Sequence, residues 1–99
     1  MRVLYSPQFN DNERIKYTFE HDKVIAEKEK DIEVFDFNGM PDGKAENIES
    51  DVFEFCPVLS AERKEGVLHL ELLNFIGFDA TEEEKFPEWI DINLLEDVL

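Results

Sequence analysis

Apolar and polar residues alternate with a period of two over much of the first 76 positions, the pattern of half-buried β-strands. Three consecutive stretches show it, separated by short polar breaks: residues 14–20, Lys23–Lys28 and residues 32–38. In the first, Ile15, Tyr17 and Phe19 fall on one side. Because breaks this short join neighbouring antiparallel strands, the pattern predicts a three-stranded meander.

A further hairpin is predicted in the second half of the chain, where residues 58–62 and 67–76 flank a turn at residues 63–66. Gly66 can supply the positive φ that a short hairpin loop needs. Two shorter apolar stretches, residues 2–6 before Pro7 and residues 52–55, are candidate strands. Between them, residues 38–43 read as a defined turn rich in Gly and Pro, and residues 44–51 as a loop.

The last 21 residues, 79–99, form an acidic C-terminal segment with eight carboxylates and one lysine. Thr81 and Glu84 have the spacing of a capping box, which predicts a helix start at Thr81. Pro87 limits this helix to about one turn. We expect Phe86 and Trp89 to pin the segment to a sheet, and the chain end to fray unless its apolar residues, which are Ile92, Leu94, Leu95 and Val98, find a partner.

Ninety-nine residues correspond to one domain, residues 1–99, with a single modest core. We therefore predict a mainly β fold: a small antiparallel meander and hairpin sheet curled into a half-open barrel or a sandwich, with one short C-terminal helix near Thr81. Nine phenylalanines supply much of the core. The expected core phenylalanines are Phe19, Phe35, Phe37, Phe53 and Phe55.

A formal charge of −15 argues against direct contact with nucleic-acid phosphates or an anionic membrane. The single cysteine, Cys56, excludes an internal disulfide. No apolar run reaches about 18 residues, and the first six residues do not resemble a signal peptide. We therefore expect a protein of the cytosol at synthesis, without a membrane partner.

The search for catalytic and cofactor motifs predicts neither an enzyme nor a cofactor. Cys56 and His69 make the simplest conceivable nucleophile pair, but no third group orients them, and Cys56 before Pro57 is more typical of a small buried residue. The spacing from Asn38 to Glu49 resembles a calcium loop, although Met40 and the non-helical flanks break that pattern. We expect no catalytic or metal site.

The acidic surface has two interpretations. It is most simply a solvated face that keeps the protein soluble. Alternatively, its carboxylates mimic nucleic-acid phosphates and occupy the basic groove of a partner. The candidate carboxylates are Glu82, Glu83, Glu84, Glu88 and Asp91, joined by the outward acids Glu27, Glu29, Asp31 and Glu33. Lysines interrupt this field at Lys23, Lys28, Lys30 and Lys64.

Trp89 also has two interpretations. Aromatic residues dominate the energetics of interfaces, so Trp89 can be an exposed anchor for a partner. A lone tryptophan near a chain end can equally cap the protein's own core. The candidate partner-binding residues are Phe86, Trp89, Ile90, Glu82, Glu83 and Glu84.

Three stretches, residues 37–43, 59–64 and 79–89, resemble short acidic proteins of bacteriophages and prophages from Gram-positive bacteria. The resemblance covers most of the chain, and its motifs have no assigned chemistry. It implies a gene context near tail and lysis genes, and hence a non-catalytic role in tail structure or assembly. The implied partners are phage structural proteins or a second copy of the chain, and the implied location is the host cytoplasm or the virion tail. An acidic inhibitor of a host DNA-processing enzyme is the alternative.

Overall fold

The structure, a computed structural model, describes residues 1–92. It confirms the mainly β fold with one short helix. In this part of the chain the elements are β1 (Arg2–Phe9), β2 (Lys16–Glu20), β3 (Lys23–Lys28), β4 (Asp31–Asp36), β5 (Gly43–Lys44), β6 (Val58–Lys64), β7 (Val67–Ile76), α1 (Glu82–Lys85) and β8 (Ile90–Asp91).

The strands form two sheets over one core. One sheet has five strands in the order β5-β6-β7-β1-β8, and the other has three in the order β2-β3-β4. The three-stranded sheet is the predicted antiparallel meander. Within residues 1–92 neither sheet closes into a barrel, as expected for the predicted curled, half-open arrangement of strands. None of the helices in this range has the length and apolarity needed to span a membrane.

The central strand pair of the larger sheet departs from the predicted antiparallel pattern. β1 runs parallel to β7, in a register that places Val3 beside Leu70 and Tyr5 beside Leu72. Every other strand pair in the described residues is antiparallel. The first residues of the chain therefore supply a strand between β7 and the short β8, which covers β1 only at Arg2 and Val3, and they lie next to residues more than sixty positions away.

The strand expected to stop before Pro7 continues through it to Phe9, and this corrects the predicted end at Ser6. The reason lies in which edge each backbone group faces. Asn10 N–H donates to Ile76 O on the β7 side, whereas Met1 O accepts from Ile92 N–H on the opposite side. Since backbone groups alternate along a strand, Pro7 faces away from β7, where its missing N–H breaks no bond in the ladder.

The β6–β7 hairpin is confirmed, with a tighter turn than expected. Both strands extend to a two-residue turn at Glu65 and Gly66, whose φ angles are 49° and 82°. Positive φ at both central residues matches the right-handed twist of the flanking strands. β6 therefore includes Arg63 and Lys64, which the sequence had placed in the turn.

The predicted strand at residues 52–55 is wrong, because side-chain hydrogen bonds hold this stretch in successive bends. The Glu33 carboxylate accepts from Ser50 Oγ and Asp51 N, and Ser50 Oγ accepts from Phe53 N–H at 2.9 Å. Such local bonds compete with a β-ladder. The same bonds correct the expectation that Glu33 points outward: it lies two residues before Phe35, on the side of β4 that faces the core.

The core lies between the two sheets and is richer in leucine and valine than predicted. Leu68, Leu70 and Leu72 of β7 are almost fully buried, as is Val24 of β3. Among the expected phenylalanines only Phe35 is buried, whereas the others are half-buried and pack around the rim; these are Phe19, Phe37, Phe53 and Phe55. The Phe55 ring packs edge-on against Phe75, with 5.6 Å between centroids.

Arg63 ties the two sheets together at one end. Arg63 belongs to β6 and lies opposite Leu68 of β7, and its side chain is only 11% exposed. The guanidinium reaches Asp22 Oδ2 at 3.0 Å and donates to the carbonyl oxygens of Phe37 and Met40 at 2.9 and 2.6 Å. A charged side chain from the larger sheet thereby satisfies turn and loop acceptors of the smaller one.

Candidate functional site

The C-terminal arm, residues 79–92, runs along the side of the larger sheet where β1 forms the edge. The chain leaves β7 through a turn in which Ala80 N–H donates to Gly77 O. After α1, it returns to the sheet as β8, which pairs antiparallel with Arg2 and Val3. Ile92 N–H donates to Met1 O and closes this contact. The arm is therefore attached to the body at both of its described ends.

The helix α1 begins where the capping box predicts. The Thr81 hydroxyl accepts from Glu84 N–H at 3.2 Å, and a Glu84 carboxylate oxygen accepts from Thr81 N–H at 3.1 Å. The helix ends at Lys85, just before Phe86 and Pro87. All residues of α1 are exposed, so its stability comes from the cap and from carboxylates near its positive end, and packing contributes little.

The large apolar residues of the arm are mostly in solvent. Phe86 is 73% exposed, Ile90 46% and Trp89 40%. The expectation that Phe86 pins the arm to the sheet is therefore wrong. Trp89 lies between its two interpretations: its ring packs edge-on against His69 at 5.6 Å, yet a large part of it remains accessible. Ile92 is half-buried against the core, while Leu94, Leu95 and Val98 lie outside the described residues.

An open cleft of about 850 Å³ separates the arm from the body. Tyr5 of β1 and Asn74 of β7 line it on the body side. On the arm side the lining includes all six residues predicted to bind a partner: Glu82, Glu83, Glu84, Phe86, Trp89 and Ile90. The structure thus brings the predicted site residues together around one concave surface.

The charge of this cleft is negative. Four of its lining residues are glutamates, namely Glu82, Glu83, Glu84 and Glu88, and no lysine or arginine lines it. All four are exposed. Asp91, grouped with them from the sequence, is instead engaged by Arg2, with 2.9 Å between Arg2 Nε and Asp91 Oδ1.

The other proposed phosphate-like carboxylates lie in the smaller sheet. Glu27, Glu29 and Asp31 lie in and around the β3–β4 turn, and Glu33 holds residues 50–51. Lys28 in the same turn region contacts Glu13 at 2.7 Å, a hydrogen bond that lowers the pKa of the Glu13 carboxyl. Among the proposed phosphate-like carboxylates, the ones that line this cleft are therefore Glu82, Glu83, Glu84 and Glu88 of the arm.

The residues considered for catalysis have separate surroundings. Cys56 Sγ donates to Val58 O, and burial raises the pKa of its thiol, the opposite of what an activated nucleophile requires. His69 Nδ1 lies 3.0 Å from Val67 O, beside Trp89, and His21 occupies a turn. Within residues 1–92, the loop from Asn38 onward has no cluster of three side chains positioned to hold a metal ion.

Sequence reasoning missed the body side of the cleft. Tyr5 and Asn74 come together only because β1 and β7 pair, and nothing local in either segment specifies that pairing. Pro7 was the available signal: a proline inside an apolar stretch indicates a strand at the edge of a sheet.

Comparison with known proteins does not extend this description. The chain matches no protein-family model, no curated protein and no solved structure at a significant level.

Proposed function

We propose that this protein is a non-catalytic binding domain that acts through protein–protein contact, with the C-terminal arm as its contact surface. The observation that carries the proposal is the exposure of Phe86, Trp89 and Ile90 around the acidic cleft. Large apolar side chains grouped at a concave surface, with charges at the rim, are typical of interaction sites. A tryptophan with part of its ring already fixed against His69 loses little side-chain freedom on binding.

The resemblance to phage and prophage proteins suggests the biological setting. In that setting the partner is a phage structural protein, or a second copy of the chain, and the protein acts in tail structure or assembly. A domain of this kind contributes a rigid two-sheet body that presents the arm.

The test is an affinity pull-down from host cells that carry the intact prophage, washed at low and at high salt and analysed by mass spectrometry. We expect phage structural proteins that survive the high-salt wash and disappear with Trp89→Ala or Phe86→Ala. The matched control is Leu59→Ala, which removes a side chain that is 45% exposed on β6, outside the arm. Equal recovery with all three variants would contradict the proposal.

The second candidate is an acidic inhibitor that occupies the nucleic-acid groove of a host enzyme. The concentration of exposed carboxylates on α1 favours it. Binding by charge is screened by salt, whereas apolar contact is not. Recovery of a host nuclease or polymerase that is lost at high salt, and lost with Glu82→Lys/Glu83→Lys/Glu84→Lys but kept with Trp89→Ala, would establish this alternative instead.

A further inference from the structure

Beside the cleft, the outer edge of β1 carries backbone groups that bond to no backbone group within residues 1–92. Odd-numbered residues of β1 direct their N–H and C=O groups away from β7, as the bond from Ile92 N–H to Met1 O shows at the start of the strand. β8 pairs with this edge only at Arg2 and Val3. From Tyr5 to Phe9, no backbone group of residues 1–92 bonds to the edge.

Pro7 divides this free edge into distinct binding positions. Tyr5 and Phe9 each offer an N–H donor and a C=O acceptor, while Pro7 offers only its carbonyl. A proline within an edge strand discourages indiscriminate strand pairing. The edge therefore offers two N–H donors and two C=O acceptors, at Tyr5 and Phe9, and one further C=O acceptor at Pro7 between them.

The dimensions of the site suit an extended chain. Residues 5 to 9 of a strand span about 13–17 Å at about 3.3 Å per residue. Both ends of this span carry exposed apolar side chains. Ile90 lies at one end, and at the other the Phe9 ring packs edge-on against Phe78, with 4.7 Å between centroids. Phe78 is 82% exposed and Phe9 54%, so this aromatic pair is available for contact.

The charge at the Tyr5 end of the edge, where it borders the cleft, selects the occupant. The arm wall of the cleft has four exposed glutamates and no basic residue. A second copy of this chain would bring an identical acidic wall to the same edge, and each copy carries a net charge of −15. Like charges brought together at an interface oppose association, whereas lysine or arginine side chains would be attracted to it.

We infer that the edge of β1 from Tyr5 to Phe9 takes an extended, lysine- or arginine-bearing segment of a partner protein as an added strand. Main-chain hydrogen bonds to Tyr5, Pro7 and Phe9 hold the segment, and the glutamates of the arm select its charge. This inference rests on the proposed function and specifies the chemistry of the partner that binds there.

The first experiment measures binding of a fluorescent peptide of about nine residues, alternating Lys and Val, by anisotropy at about 0.1 M salt. Two comparison peptides have Glu in place of Lys, or N-methyl groups on the backbone nitrogens. We expect the cationic peptide to bind at least about tenfold more tightly than either. Equal affinities, or no binding of the cationic peptide at about 1 mM, would overturn the inference.

Variants of the protein test the edge and the charge separately. Both Phe9→Pro and Phe9→Ala remove the aromatic ring. Phe9→Pro also removes the outward backbone N–H, whereas Phe9→Ala keeps this N–H. We expect Phe9→Pro to bind the cationic peptide at least about tenfold more weakly than Phe9→Ala. Glu83→Lys should weaken binding several-fold more than Glu20→Lys, which makes the same change of charge at an exposed residue of β2. Equal effects within either pair would contradict the inference.

Hydrogen exchange provides a readout on the unaltered protein, should Phe9→Pro not fold. In the peptide complex, exchange of the Tyr5 and Phe9 amides should slow at least about tenfold, while the amides of Lys16–Glu20 in edge strand β2 stay unchanged. Protection at β2 instead would overturn the inference. Failure of the peptide to bind, combined with loss of the natural partner in Trp89→Ala, would overturn this inference and leave the proposed function standing.

Discussion

The two-sheet body and the C-terminal arm contain similar proportions of hydrophobic residues and place them differently. Five of the fourteen residues of the arm are hydrophobic, against 42% for the whole chain. In the body many such residues recur with a period of two on paired strands and meet across the two sheets, although Ile32 and Val34 of β4 are each 54% exposed. In the arm, Phe86, Trp89 and Ile90 remain exposed around the cleft. Burial thus requires a paired strand whose apolar face meets the other sheet, which composition alone does not provide.

The comparison assigns different tasks to the two regions. Changes in the body should alter the free energy of unfolding, since its side chains hold the sheets together. Changes in the arm should alter binding and local order while global stability stays nearly constant.

Arg63→Ala should destabilise the protein by about 3 kcal/mol, because it leaves Asp22 and the carbonyls of Phe37 and Met40 without their donor. Urea denaturation followed by circular dichroism measures the change. The neighbouring Lys64→Ala removes an exposed side chain and should cost less than about 0.5 kcal/mol. Similar losses from the two variants would mean that Arg63 does not join the sheets.

Glu33→Lys should destabilise the protein by about 1–2 kcal/mol, because Ser50 Oγ and Asp51 N–H lose their acceptor. Glu33→Gln keeps one acceptor oxygen and should lose less. Thermal unfolding of both variants, with the exposed Glu54→Lys as a charge-matched control, measures the effect. If Glu33→Lys unfolds at the same temperature as the native protein, the Glu33 carboxylate is solvated and does not stabilise residues 50–51.

Tyr17 should make the body sensitive to alkaline pH. Burial raises the pKa of its hydroxyl, which donates to Leu73 O. The unfolded chain therefore releases this proton first, so the stabilisation is complete below about pH 10 and declines above it by up to about 1.4 kcal/mol per pH unit.

Tyr17→Phe tests this pH dependence. It should lose about 1 kcal/mol at neutral pH, through the missing hydrogen bond, and show a shallower decline between about pH 10 and 11. Burial also raises the pKa of Tyr5, which accounts for the sensitivity that remains. Urea midpoints measured across this range give the slope, and identical slopes for the two proteins would contradict the role of Tyr17.

Thr81→Ala should leave the global free energy of unfolding within about 0.5 kcal/mol of the native value, because α1 has no buried residue. Its expected effect is local: loss of the cap, costing the helix about 1 kcal/mol, should speed exchange of the Glu84 amide. Thr81→Ser retains the hydroxyl and should preserve that protection. A large drop in global stability would show that the arm belongs to the cooperative body.

The parts of the fold that depend on nearby residues were predictable from sequence. The meander follows from alternation and short polar breaks, and α1 from the Thr81–Glu84 capping box and Pro87. The β1–β7 pairing was not predictable, since its register depends on residues 67 positions apart, such as Arg2 and His69. Residues 52–55 alternate like a strand, but the Glu33 carboxylate holds Ser50 and Asp51 just before them, and no strand among residues 1–92 pairs with them.

The candidate site was predictable on one side only. The acidic and aromatic residues of the arm stand out in the sequence, and the structure places them around one cleft. The exposure of Phe86 was not apparent, because aromatic content alone does not show whether a sheet lies within reach. The free edge from Tyr5 to Phe9 emerges only once the partners of β1 are known.

The parallel pairing of β1 with β7 has a consequence for the order of folding. The meander β2-β3-β4 joins neighbouring segments through two-residue turns, so its loops cost little entropy to close. The larger sheet is complete only when residues 2–9 meet residues 69–76, which closes a loop through most of the chain. Contacts so distant in sequence slow folding, and we expect β1, with the short β8 that pairs with it, to join after the β6–β7 hairpin has formed.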